Sequence, residues 1–193
     1  MKLRILLVDD DEARAVALRQ ALDDSGFQTV GVVALKDDLV AKVRDLAADL
    51  IIVDMDSPSR DTLEDMRRIT EDRPRPIVMF VDQSDEGAIA EAMKAGVSAY
   101  VIDGLNPARV KPILDVAIAR FAEFQKLRAE LDQMKMDLAD RKVIERAKGA
   151  VMKSRGVDEP AAYRLIQKLA MDQNQRLVDV ARTILALSQV LKP

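Results

Sequence analysis

Five short apolar runs, Leu3–Val8, Thr29–Ala34, Leu50–Val53, Ile77–Val81 and Ala99–Ile102, constrain the fold of this chain more than anything else in it. They are mostly β-branched and too short for buried helices. Segments of helical period, near 12–24, 37–47, 60–71 and 85–95, separate them. Apolar runs alternating with helices belong in a parallel sheet covered on both faces. Gly26, Gly96 and Gly104 fall where elements should end, and Asn106 precedes Pro107 at the expected start of a further helix. The front of the chain is therefore expected to be a doubly wound sheet of five parallel strands.

In such a sheet the ligand crevice lies at the carboxyl ends of the strands. Asp9 and Asp10 end the first run and Asp54 ends the third. Carboxylates brought together repel one another, so a site of this kind would hold Mg²⁺ through oxygen ligands and let one carboxylate attack a phosphoryl donor.

The succession VDD, IIVDMD, PIVMFV and AGVSAY closely resembles the receiver domain of two-component response regulators, a flavodoxin-like fold. The resemblance implies that Asp54 is the phosphoacceptor, that Asp9 and Asp10 support the metal beside it, and that the backbone carbonyl of Asp56 completes the site. Two positions depart from the pattern. A receiver has Thr or Ser where this chain has Val81, which has no hydroxyl to donate to a phosphoryl oxygen. A receiver has Lys followed by Pro where this chain has Asp103 and Gly104, so an anion replaces the neutralising cation. The favoured expectation is an inherited acidic pocket that folds but does not switch by phosphorylation, with Asp82 and Asp103 as candidates for a partner surface.

From Pro112 to Gly149 the chain has no glycine and no further proline. Ala117, Phe124, Leu131 and Leu138 recur every seven residues, with Ile113, Leu127 and Met134 between them. This heptad stripe predicts one long helix. Its first turns, Ile113 to Phe121, are expected to pack on the front sheet. Phe124, Leu127, Leu131, Met134 and Leu138 are expected to form the seam of a homodimeric coiled coil.

The helix then changes character. Val143, Ile144, Ala147, Ala150 and Val151 share one face, while Arg141, Lys142, Arg146, Lys148, Lys153 and Arg155 occupy the rest. Gly149 lies among the basic residues, where a phosphate or base could approach the backbone closely. Gly156 is a natural stop, and Asp158 is placed to cap a second helix with Pro160 in its first turn. The expected buried stripes are Ala162, Leu165, Ile166 and Leu169 on the second helix and Leu177, Val180, Ala181, Ile184 and Leu187 on the third. Tyr163 lies off that stripe beside Arg164, where it can pack its ring on a neighbouring helix or stack on a base.

The spacing of Ala147, Lys148, Gly149, Met152, Ala162, Tyr163, Leu165, Ala170, Met171 and Ala181 resembles the ANTAR domain, a three-helix module of transcription antitermination regulators that binds RNA hairpins. MFVDQSD and YVIDGL in front of such a tail are similar to the antiterminators of nitrate and nitrite assimilation. The resemblance implies a nitrate-sensing partner protein that holds the regulator inactive until ligand arrives. It also implies that two hairpin loops of a nascent leader transcript are gripped, preventing a terminator from forming.

Charge is consistent with this division. Residues 1–125 hold 16 Lys and Arg against 24 Asp and Glu, and residues 126–193 hold 14 against 9, so an acidic front of −8 precedes a basic tail of +5 within a net −3. The chain has no cysteine and no histidine, which excludes a disulfide framework and a thiolate metal site and makes zinc chemistry unexpected. No apolar run is long enough to span a bilayer, and MKLRILLVDDD does not suit a secretory signal, so the expected location is the cytoplasm.

The expected organisation is thus a receiver-like domain over residues 1–111, a helical coiled-coil linker over 112–140 and an RNA-binding three-helix bundle over 141–193. No catalysis of small molecules and no required cofactor is expected, beyond Mg²⁺ in the acidic pocket. The main alternative is a response regulator activated at Asp54 whose tail binds DNA. That reading needs a basic second helix joined to the first by a tight turn, which the tail lacks. A phosphorelay shuttle acting through Asp54 is opposed by Val81 and Asp103.

Overall fold

The computed structural model of the chain describes residues 2–84, 86–102 and 107–190. Gly104 and Asn106, read above as element boundaries, and Asp103, read as a departure from the receiver pattern, lie outside the described residues. The chain divides into two compact units, Met1–Gln125 and Lys126–Pro193.

In the first unit β1 (Arg4–Val8), β2 (Gln28–Val33), β3 (Leu50–Met55), β4 (Ile77–Val81) and β5 (Ala99–Ile102) form one sheet in the order β2-β1-β3-β4-β5. Every pairing is parallel. Side chains alternate between its faces. Leu6, Val8, Ile51, Val53, Ile77, Met79 and Val81 build one core with α2 (Leu39–Asp45), α3 (Arg60–Asp72) and α4 (Glu86–Lys94). Ile5, Leu7, Leu50, Ile52, Val78 and Phe80 build the other with α1 (Glu12–Asp24) and the start of α5 (Pro107–Arg155). Burial on both faces is why Leu50–Val53 of β3 and the whole of β4 read as unbroken apolar runs. Strand order reverses between β1 and β3, so the carboxyl ends of these central strands flank the crevice of the fold.

Helix α5 contributes to both units. Val110, Leu114 and Ala117 are fully buried against the sheet, joined by Ile113 and Ile118. The helix begins at Pro107, so Pro112 lies inside it. The first turns of the helix thus pack on the front sheet, as expected from Ile113 onward.

In the second unit the end of α5 packs with α6 (Glu159–Asp172) and α7 (Leu177–Val190) around Ala147, Ile166, Ala170, Val180 and Ala181. Gly156, at φ +66°, ends α5 and donates its N–H to the Met152 carbonyl at 2.9 Å. Asp158 caps α6 by accepting from the Ala161 N–H at 2.9 Å. The inner face of α6 differs from the expectation. Ala162, Ile166 and Ala170, four residues apart, are buried, whereas Leu165 and Leu169 are exposed. Each leucine lies one residue, about 100° of rotation, from the inner line. On α7, Leu187 is likewise exposed, because the shared core ends at Ile184 and Leu185.

Candidate acidic pocket and basic helix face

At the carboxyl end of β1 three consecutive aspartates do three different things. Asp9 is buried, and its Oδ1 accepts the Asp11 N–H at 2.8 Å. Asp10 is exposed and turns away to accept the Leu35 N–H at 2.9 Å. Asp11 caps α1, its Oδ1 accepting from the N–H groups of Ala13 at 2.9 Å and Arg14 at 3.0 Å. That cap fixes Arg14 in the first turn of α1, with its side chain over the pocket.

Arg14 is the residue that sequence reasoning missed. Its Nε and Nη2 donate to Asp9 Oδ2 at 3.1 Å and Oδ1 at 2.9 Å, a two-point grip on one carboxylate. The same Nε stands 3.0 Å from Asp54 Oδ2. Because that N–H is directed at Asp9, Arg14 holds the 1%-exposed Asp54 through charge, and no side chain among the described residues donates a hydrogen bond to its oxygens. Burial pushes the Asp54 carboxyl up to about 6, opposed by Arg14 and reinforced by the negative charges of Asp9 and Asp82. Arg14 in turn is held protonated above its ordinary range by its hydrogen bond to Asp9. A signal was available: a cation is unfavourable in the first turn of a helix, so an arginine there needs a compensating anion.

The residues expected to hold Mg²⁺ do not converge as a ligand set. Asp9 and Asp54 face Arg14, Asp10 turns to Leu35, and the Asp56 carbonyl accepts the Gln83 N–H at 3.0 Å while its side chain is exposed. Among the described residues no three acidic side chains are positioned to hold a metal ion. Val81 is fully buried in the core beside Met55, so the end of β4 offers no hydroxyl. Asp82 is exposed, its N–H donating to the Met55 carbonyl at 3.3 Å. On β5 the Tyr100 hydroxyl donates to Ser84 at 3.0 Å, a link across the top of the sheet that periodicity does not signal.

On α5 the structure sorts the basic residues into two sets. Lys142, Arg146, Gly149 and Lys153, spaced by four, three and four, form one exposed stripe. None of its three cations has an acidic partner among the described residues, and the same holds for exposed Arg141 and Arg155. A Cβ built on Gly149 would meet nothing within 4 Å among the described residues, so no packing demand from them explains a glycine there.

Lys148 is a correction. It does not lie on the open face but is 8% exposed, with Nζ 2.6 Å from Glu159 and 2.8 Å from Glu145. It follows buried Ala147 and stands one turn from Ile144, at the edge of the seam with α6, which is why it is covered. Its hydrogen bonds to Glu145 and Glu159 hold it protonated, above the usual lysine range. It clasps α5 to the first turn of α6. Tyr163 is 40% exposed, and its ring centroid lies 6.0 Å from Lys148 Nζ.

Along the middle of α5, Phe124, Leu127, Leu131, Met134 and Leu138 are 51–66% exposed in the single chain. No helix among the described residues is long and apolar enough to cross a membrane.

A 2-1-3-4-5 parallel sheet with buried aspartates at the ends of β1 and β3 defines a response-regulator receiver. The sequence matches the response regulator receiver domain over residues 5–115 and the ANTAR domain over residues 132–185. The chain belongs to the ANTAR-domain response regulators, a family of transcription regulators. The transcriptional regulatory protein PdtaR of Mycobacterium tuberculosis is 30% identical over 182 residues, 94% of this chain and 89% of that protein. The nitrate regulatory protein of Klebsiella oxytoca is 38% identical over 77 residues, 40% of this chain and 19% of that protein. A LuxR-family two-component response regulator from Aurantimonas superposes with a TM-score of 0.55 at 22% identity, covering 62% of this chain and 86% of that one, and shares the receiver fold.

Proposed function

We propose that the chain is an antitermination regulator that binds hairpin loops of nascent leader RNA through its C-terminal bundle. The observation that carries this reading is the stripe of Lys142, Arg146 and Lys153 around Gly149, exposed and without acidic partners among the described residues. Cations left solvated on a folded scaffold are available to phosphates, and a glycine between them lets a backbone approach. Tyr163 offers a partly exposed ring for an unstacked loop base. Loops suit such a surface, since helical RNA hides its base edges in a deep, narrow groove. Arg141 and Arg155 extend the basic surface, while Lys148 acts by holding α6 in place.

The exposed heptad residues of α5 support a homodimer formed with the same helix of a second copy, since a repeat of alternating three and four matches a like stripe. Two bundles would then engage two loops. Control through the receiver-like unit is assigned to a sensor protein, of the nitrate-sensing type that the sequence resemblance implies, rather than to phosphorylation. Buried Val81 and the engagement of Asp54 by Arg14 support that preference.

Reversing Lys142, Arg146 and Lys153 together to Glu should weaken binding to leader RNA by on the order of a hundredfold or more. It should also lower the slope of log K against log salt by about 2–3. Unchanged affinity in a variant of intact helical content would remove the RNA reading. Leu131→Lys should convert dimers to monomers in sedimentation, by burying a charge in the seam. A wild-type protein already monomeric at on the order of tens of micromolar would refute a standing coiled coil.

A further inference from the structure

We propose that Arg14 is the resident cation of the acidic pocket and takes the place of the divalent ion that a receiver fold implies there. Four observations carry this. Arg14 engages both carboxylates that a metal would bridge, at 2.9 and 3.1 Å on Asp9 and 3.0 Å on Asp54. Asp9 Oδ1 is further committed to the Asp11 N–H at 2.8 Å. The remaining expected ligands, Asp10 and the Asp56 carbonyl, accept from Leu35 and Gln83. Finally, Asp11 caps α1 through the Arg14 N–H itself, so the backbone that carries the guanidinium is locked at the pocket mouth.

The physical consequence is exclusion. A divalent ion between Asp9 and Asp54 would stand within a few ångströms of a permanent positive charge, and Coulomb repulsion at that range in a partly buried site is strong. To admit the ion, Arg14 must leave both carboxylates and expose its charge beside a second cation. Arginine does not escape this by deprotonating. The pocket's negative charge is thus reduced from within by one unit, and its carboxylates are held together without a metal. This is independent of whether the tail binds RNA.

The test titrates the full-length protein and its Arg14→Met variant with Mn²⁺, followed by water-proton relaxation, and with Mg²⁺, followed by the unfolding midpoint. The wild type is expected to show no saturable uptake at millimolar ion. Arg14→Met, which keeps the apolar stem and removes the charge, is expected to bind at least about tenfold more tightly. Adding Asp9→Asn to Arg14→Met should abolish the gain. Saturable wild-type uptake that Asp9→Asn removes would overturn the proposal, as would a folded Arg14→Met that binds no more tightly than wild type. Should Arg14→Met fail to unfold cooperatively, Arg14→Lys decides. Its shorter reach loosens the grip, so tighter Mn²⁺ uptake than wild type supports the proposal and equal uptake overturns it.

Discussion

The acidic pocket and the basic stripe carry opposite charges and dispose of them in opposite ways. In the pocket Asp9, Asp10 and Asp11 each have a donor from the same chain, and Asp54 has the charge of Arg14. On α5, Lys142, Arg146 and Lys153 have no acidic partner among the described residues. A charge paired internally is withdrawn from recognition, whereas a charge left in water can exchange its counterions for a polyanion. Lys148 makes the point within a single helix. It adjoins Gly149, yet two glutamates enclose it and it serves the bundle. Net charge by domain therefore says less about recognition than the pairing of individual groups.

The closed side of this comparison is most sharply tested at Asp54. Its folded-state value of about 6 lies above the ordinary 3.8, so the folded protein takes up this proton at higher pH than the unfolded chain does. Stability associated with Asp54 therefore rises as pH falls from about 6 towards 4, and the cost of the buried charge is fully present at neutrality. Asp54→Asn should raise stability at neutral pH by about 3 kcal/mol, the gain shrinking to nothing near pH about 4. Denaturant titrations across that range check it. A constant gain, or a loss at neutrality, would mean that Arg14 fully offsets the burial of the carboxylate.

The open side is tested more gently at Gly149. With nothing within 4 Å of a built Cβ, Gly149→Ala should stabilise the bundle by about 0.5–1 kcal/mol, the usual gain from removing a mid-helix glycine. If RNA approaches the backbone there, the more stable variant should bind leader RNA more weakly, with the salt slope unchanged. Stability and affinity rising together would leave Gly149 without a role in recognition and confine the interface to the lysines and arginines around it.

Much of the architecture was legible in the sequence because it is written locally. Burial on both faces makes Ile5–Val8 of β1, Leu50–Val53 of β3 and the whole of β4 apolar runs, and Asp158 and Gly156 mark the turn between α5 and α6 by their own chemistry. The candidate site was legible only in part. Asp9 and Asp54 could be paired through the strand order, but Arg14 sits in a helical segment whose pattern spoke only of packing. The buried line of α6 was misjudged for a related reason. Leu165 and Leu169 are more apolar than Ala162 and Ala170, yet the small residues fill the narrow inner face.

The sequence by itself determined the alternation that makes a doubly wound sheet, the uninterrupted helix with its heptad stripe, and the contrast between an acidic front and a basic tail. Each follows from periodicity or composition, which neighbouring residues fix without reference to the rest of the chain. Only the tertiary structure decided which charges are free. It joined Arg14 to Asp9 and Asp54, turned Asp10 away from them, and closed Lys148 between Glu145 and Glu159 while leaving Lys142, Arg146 and Lys153 in water. Asp54 lies forty residues from Arg14, and Glu159 lies on a different helix from Lys148. Whether two charges meet depends on how separate elements pack, and helical or strand spacing carries no record of that.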